Sequence, residues 1–133
     1  MAVVTSETIS VVSEPDVVTV RRRVRDLCSQ VGLSLVDQTK LVTAASELAR
    51  NTMTYGGGGS MMLESLNGPR VGVRLTFVDG GPGIPDIDLA LRDGFTTGSG
   101  LGLGLGGAKR LVNEFEIRSN VGAGTRVTVT RWK

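Results

Sequence analysis

Histidine is absent from the 133 residues. That excludes imidazole general bases, histidine metal ligands and a phosphohistidine carried on this chain. The single cysteine, Cys28, has no partner for an internal disulfide, so a reducing, cytoplasmic setting is expected. No apolar run approaches the roughly 20 residues of a membrane span, and Met1–Glu14 lacks the pattern of a signal peptide. No membrane partner is expected. A net charge of +2 is too small to argue for nucleic acid. Aromatic residues are few, at three Phe, one Tyr and one Trp. Glycine is what the chain has in excess: nineteen residues, unevenly spread. With 40% hydrophobic and 21% charged residues the composition is otherwise that of an ordinary globular protein. The length suits one domain over residues 1–133, able to bury roughly two-thirds of its unfolded surface.

Periodicity predicts the elements. Thr8–Val12 alternates as a short strand. Val17, Val20, Val24, Leu27, Cys28 and Val31 recur at helical spacing after Glu14-Pro15-Asp16, and Gly32 ends that helix. Arg21, Arg22, Arg23 and Arg25 flank its outer side as a solvated face. A second helix is predicted over Leu35–Tyr55, with Ser34 as N-cap and Leu41, Ala45, Leu48 and Thr52 on one face. Gly56–Ser60 then forms a loop. Strands are predicted at Ser60–Leu66, Arg70–Asp79, Glu114–Asn120 and Thr125–Trp132, with a glycine-rich loop and a helix at about Gly106–Val112 between the middle two. Val71, Val73, Leu75 and Phe77 share one strand face, as do Phe115 and Ile117, and Val127 and Val129. Arg74, Thr76, Glu116, Arg118, Arg126, Thr128 and Thr130 take the opposite faces. A sheet with one apolar and one polar face is covered by helices on one side only, which predicts a two-layer α/β sandwich.

Strand parity puts Asp79 on the covered face, where a carboxylate needs donors. The glycines after it, Gly80-Gly81-Pro82-Gly83, let backbone approach a flat ligand. Alone, this stretch reads first as a turn after a strand. Glu47 and Asn51 are four apart on the second helix and stand together at the rim of its apolar stripe. Such a carboxylate can orient or deprotonate a nucleophile, and such an amide oxygen can bind Mg²⁺. Alone, a single Glu/Asn pair reads first as a solvated helix face. The run Gly98-Ser99-Gly100-Leu101-Gly102-Leu103-Gly104-Leu105-Gly106-Gly107 opens into a helix bearing Lys109 and Arg110. Exposed N–H groups of that kind suit an anion. The spacing Gly102-x-Gly104-x-x-Gly107 matches the dinucleotide fingerprint, yet no strand ends just before it. No Gly-Lys-Ser/Thr closes a Walker A loop either. Thr125, after Gly122-Ala123-Gly124, shares parity with Val127 and Val129, so its hydroxyl faces the helical layer beside Asp79.

Together and in this order, Glu47-x-x-x-Asn51, Asp79-Gly-Gly-Pro-Gly83, Gly100-Leu-Gly102-Leu-Gly104 and Gly122-x-Gly124-Thr125 resemble the motif boxes of the gyrase/Hsp90/histidine-kinase/MutL ATPase superfamily, the Bergerat fold. Ser46–Asn51, Gly81–Ile87, Asp93-Gly94-Phe95 and Lys109-Arg110-Leu111 look like its small serine kinases of anti-sigma regulation, above all the RsbT-type switch kinases of the bacterial stressosome. The resemblance spans nearly the whole chain and implies a Bergerat-type mixed sheet with helices on one face. It implies Mg-ATP as cofactor, Glu47 as general base, Asn51 as Mg²⁺ ligand and Asp79 as acceptor of the adenine amine. Gly81 and Gly83 would shape the base pocket, Gly100, Gly102 and Gly104 would wrap the phosphates, and Thr125 would close the adenine side. The implied substrate is a serine or threonine of a small STAS-domain antagonist, with a PP2C-type phosphatase as a further partner. One departure is that Thr96–Gly107 contains no Lys or Arg, although many relatives place a lid cation on the γ-phosphate. Lys109, Arg110 or a group from the partner would take that place. The alternative is an ATP-gated protein-binding module with vestigial kinase activity. A gyrase- or MutL-like ATPase would need a transducer domain.

Overall fold

The alternating segments pair into one five-stranded sheet in the computed structural model, which describes residues 2–92 and 104–133. The strands are β1 (Ala2–Val11), β2 (Gly59–Asn67), β3 (Gly72–Asp79), β4 (Glu114–Asn120) and β5 (Gly124–Trp132). Their spatial order is β1-β2-β3-β5-β4, and every neighbouring pair is antiparallel. The two-layer α/β arrangement is as expected, but the sheet is not mixed. β3 and β4 run in the same direction, yet β5 lies between them and pairs antiparallel with both, so no parallel ladder forms.

Helices α1 (Glu14–Val31) and α2 (Leu35–Arg50) cover one face, with the single turn α3 (Ile87–Ala90) and α4 (Gly104–Arg110) at one end. The Asp16 carboxylate tethers the start of α1, accepting from the backbone N–H groups of Val12 at 2.9 Å and Ser13 at 3.2 Å. Gly32, at φ 86°, ends α1 in the left-handed conformation that glycine adopts without strain. Ser34 caps α2 by accepting from the N–H of Asp37 at 3.1 Å. Val17, Val20, Val24 and Cys28 of α1 and Leu41, Ala45 and Leu48 of α2 pack on Leu75, Phe77 and Val129 of the sheet. Burial pushes the Cys28 thiol up to about 12, so this side chain is inert core. Arg21, Arg22 and Arg25 are exposed, and Arg23 is bonded to Glu7.

The sheet's other face is polar as expected, with Arg74 opposite Thr130 and Thr76 opposite Thr128. The second helix departs from expectation at its end. Its last five residues, Asn51–Tyr55, form a π-helical turn, closed by Gly56 N–H donating to the Asn51 carbonyl at 2.9 Å. Thr52 and Thr54 donate their hydroxyls to carbonyls four residues back, at 3.0 and 2.7 Å, and such competition with backbone N–H groups widens a helix.

One polar link ties the start of α2 to β5. Arg131 donates from Nη2 to Asp37 Oδ1 at 2.7 Å and from Nη1 to the Leu111 carbonyl at 3.4 Å. The hydrogen bond from this guanidinium holds the Asp37 carboxyl below its usual range. A lowered folded value contributes stability above the unfolded value of roughly 3.9 and loses it as pH falls through the folded one. Asp37→Asn is therefore expected to cost about 2 kcal/mol near neutral pH. Urea denaturation of the two proteins across pH should show that difference shrinking steadily below about pH 4.

Candidate functional site

A cavity opens where the helical layer meets the ends of β3 and β5. Glu47, Asn51, Asp79, Gly104 and Thr125 all line it, together with Tyr55, Phe77, Ile84, Leu89, Leu105 and Val127. Apolar walls with a few converging polar groups are the usual form of a small-molecule site. The polar groups come from two directions. Glu47 and Asn51 project from one face of α2 and the π turn that continues it. Among the described residues neither side chain is hydrogen-bonded within the protein. Asp79 and Thr125 come from the sheet, as directly opposed residues of β3 and β5.

Asp79 ends β3 on the covered side, and its Oδ1 accepts from the Gly81 N–H at 2.9 Å. The glycines around it are set by close approaches of the chain to itself. A Cβ on Gly56 would lie 2.3 Å from Asp79 Cγ, and one on Gly81 would lie 2.7 Å from Gly56 Cα. Gly83 combines φ 77° with a position where a Cβ would come 2.2 Å from the Asn120 carbonyl oxygen. These approaches bring the loop Gly80–Pro85 down beside the carboxylate. Three hydrogen bonds strap it there. Tyr55 donates its hydroxyl to the Gly83 carbonyl at 2.7 Å, Ile84 N–H donates to Ser119 Oγ at 2.7 Å, and Gly122 N–H donates to the Pro82 carbonyl at 2.8 Å.

The structure thus brings Glu47, Asn51, Asp79, Gly104 and Thr125 to one cavity, with Gly81 and Gly83 in the loop at its edge. Gly100 and Gly102 lie outside the described residues. α4 begins at Gly104, two residues before the predicted start. Sequence reasoning did not single out Tyr55, Ser119 or Gly56 as site residues. Tyr55 lies four residues after Asn51, on the same helical side, and that spacing was the available signal. Ser119 shares strand parity with Phe115 and Ile117, the argument that brought out Thr125. Gly56 carries no local signal beyond ending a helix, because its constraint comes from Asp79.

Residues 36–133 match the model of the histidine kinase-, DNA gyrase B- and HSP90-like ATPases. The chain belongs to this family. It is also 40% identical over 125 residues to the serine/threonine-protein kinase RsbT of Bacillus subtilis strain 168, which spans 93% of this chain and 94% of that protein. Solved structures of the same fold include the RsbU and RsbW domains of Rv1364c from Mycobacterium tuberculosis, at TM-score 0.67 and 23% identity. That similarity covers 97% of this chain and 33% of the other. The mycobacterial sensor histidine kinase MprB superposes at TM-score 0.57 and 17% identity, covering 96% and 97% of the two chains. Every residue lining the cavity lies inside the stretch that matches the ATPase family.

Gly56 and Gly80 make a matched test of this geometry. Gly56→Ala must displace the Asp79 carboxylate and is expected to cost about 1–3 kcal/mol. Gly80→Ala meets nothing within 4 Å, and its stability is expected to stay within about 0.5 kcal/mol of the parent. Thermal unfolding of both variants measures the contrast.

Proposed function

We propose that this protein is a serine/threonine kinase that transfers the γ-phosphoryl group of Mg-ATP to a hydroxyl of a small STAS-domain regulatory protein. The observation that carries this reading is the opposition, across one apolar cavity, of the Asp79–Thr125 pair on the sheet and the Glu47–Asn51 pair on the helix. The near-full-length relative that is itself a serine/threonine kinase supports it. In this reading the adenine amine donates to Asp79, whose other oxygen contact, with Gly81 N–H, keeps the carboxylate aimed. Ile84 and Leu89 flank the base. The Asn51 amide oxygen would hold Mg²⁺, a cation that keeps much of its coordination for water and phosphate oxygens and so fits a single protein ligand. Magnesium would neutralise charge on the phosphates. Glu47 accepts the proton of the attacking hydroxyl, so the chemistry is mainly positioning and electrostatics. Gly104 stands at the cavity and the phosphate-wrapping role extends from it to Gly100 and Gly102.

Phosphorylation adds about −1.5 to −2 charge to the partner at the docked surface. Repulsion and desolvation would then release the kinase, which is how one transfer becomes a change of partner. A PP2C-type phosphatase is the second partner in this scheme, and the reducing cytoplasm that suits the buried Cys28 thiol is its setting. The sequence Thr96–Gly107, with no Lys or Arg, favours a second reading in which ATP chiefly gates protein binding. Lys109, exposed on the last turn of α4, is a cation that could serve transfer.

Phosphate transfer to a purified STAS partner, measured beside ATP binding, separates the two readings. Glu47→Ala is expected to bind ATP normally and to lose transfer by roughly 10²–10⁴-fold. Asp79→Asn is expected to lose ATP binding with its fold intact. Transfer at the parent rate by Glu47→Ala would remove it as the base, and a parent protein that binds ATP but labels no partner would leave the gated-binding reading.

A further inference from the structure

Of the three straps on the loop Gly80–Pro85, two come from the sheet side. Ile84 N–H donates to Ser119 of β4, and Gly122, in the turn between β4 and β5, donates its N–H to the Pro82 carbonyl. Among the described residues, Tyr55 alone bonds to the loop from the helical side, donating its hydroxyl to the Gly83 carbonyl at 2.7 Å. Its side chain lines the cavity, yet the nucleotide reading above assigns that hydroxyl no part.

The segment that ends with Tyr55 begins with Asn51. Over Asn51–Tyr55 the chain makes a π turn, wider by one residue than an α-helical one. Its closing bond runs from the N–H of Gly56, next to Tyr55, to the Asn51 carbonyl at 2.9 Å. On the other side the Asn51 N–H donates to the Glu47 carbonyl of α2. The backbone of Asn51 is therefore held between α2 and residues 55 and 56. Gly56 also packs closely on Asp79 and Gly81, but such packing limits approach without fixing a direction. In ordinary α-helical register the Asn51 carbonyl would accept from the N–H of residue 55 instead. Passing to that register would carry the Tyr55 side chain around the helix axis and off Gly83. A hydroxyl held at Gly83 thus selects the wider turn.

We propose that Tyr55 is a positioning residue for the metal: its hydroxyl, anchored on the Gly83 carbonyl, holds the π turn in register and so keeps the Asn51 amide oxygen aimed at Mg²⁺. The inference rests on the reading of Asn51 as the metal ligand and goes beyond it, because it assigns the aim of that ligand to a residue four positions on. Tyr55 acts here through Asn51, and its hydroxyl bonds neither metal nor nucleotide. Gly83 belongs to the loop beside Asp79, so the base side and the metal side of the cavity share one hydrogen bond.

Calorimetric titration of ATP with Mg²⁺ and with EDTA tests it, using the parent, Tyr55→Phe, Asn51→Ala and the double variant. Tyr55→Phe keeps the ring in the cavity wall and removes only the hydroxyl. It is expected to bind metal-free ATP as tightly as the parent, because the two sheet-side straps remain. With Mg²⁺ it is expected to lose roughly fivefold, the size of one hydrogen bond. The double variant should gain from Mg²⁺ no less than Asn51→Ala alone, since both changes act on one ligand. In the nucleotide-free protein, hydrogen exchange at the Gly56 amide should quicken in Tyr55→Phe. Equal weakening with and without metal would reduce Tyr55 to loop support and overturn the proposal. An unchanged gain from Mg²⁺, additive losses in the double variant, or unchanged exchange at Gly56 would overturn it too. If Asn51→Ala instead keeps the parent's full gain from Mg²⁺, the metal reading of Asn51 itself fails, and this inference with it.

Discussion

A carboxylate on the covered face of a sheet is the constraint around which this molecule is arranged. Asp79 ends β3 on the side that Leu75 and Phe77 bury, and water there is limited by the helical layer. The cost of placing a charge in such a position falls on its neighbours, which must supply donors or stay out of the way. Gly81 supplies a backbone N–H. Gly56 stays out of the way, since any side chain there would collide with the carboxylate. Gly124 makes room for the backbone of the same residue, since a Cβ there would come 2.1 Å from the Asp79 carbonyl oxygen. The end of the α2 segment, the loop after β3 and the turn before β5 thus meet at one residue. The π-helical turn is part of the same arrangement, because it delivers Tyr55 to the Gly83 carbonyl and Gly56 to Asp79.

Antiparallel register makes the pocket coherent. β3, β5 and β4 are laid side by side so that Asp79, Thr125 and Ser119 fall in one row. A slip of one residue in either ladder would turn the threonine or the serine to the opposite face. Register is held by the apolar rows beside it, with Phe77 opposite Val127 and Val127 opposite Ile117. Packing energy therefore orders the polar groups that face the cavity. The helix contributes the second pair, Glu47 and Asn51, from a segment whose buried side, through Leu41, Ala45 and Leu48, is anchored in the same core. Sheet and helix carry different duties in the proposed chemistry, the base on one and the metal and proton on the other.

Most of the architecture was legible in the sequence because its signals are local. Strict alternation located β3, β4 and β5 within two residues, and three-and-four spacing with Gly32 and Ser34 located α1 and the start of α2, while the single turn α3 carried no such signal. Strand parity alone put Asp79 and Thr125 under the helical layer. What could not be read is set by contacts between distant segments. The antiparallel order of the sheet depends on β5 inserting between β3 and β4, and local pattern is silent about that. The strand β1 begins six residues earlier than its alternation suggested, since Ala2 and Val3 are organised by pairing with β2, past an irregularity at Val4, and only the later residues repeat regularly. Gly56 illustrates the limit for the site. It looked like a helix stop, and its real constraint is a side chain more than twenty positions away. The roles of Asn51, Glu47 and the glycines expected to wrap the phosphates came from family resemblance, and of these residues the cavity brings Glu47, Asn51 and Gly104 together.

In the proposed function Asp79 and Thr125 read the adenine while Glu47 and Asn51 face the phosphates. A crystal structure with Mg²⁺ and a non-hydrolysable ATP analogue tests it most directly. The adenine amine is expected about 3 Å from the Asp79 carboxylate, with the metal at the Asn51 amide oxygen and the γ-phosphoryl group on the Glu47 side of the cavity. A base that binds elsewhere, or lies in the cavity with its amine turned away from Asp79, would contradict it.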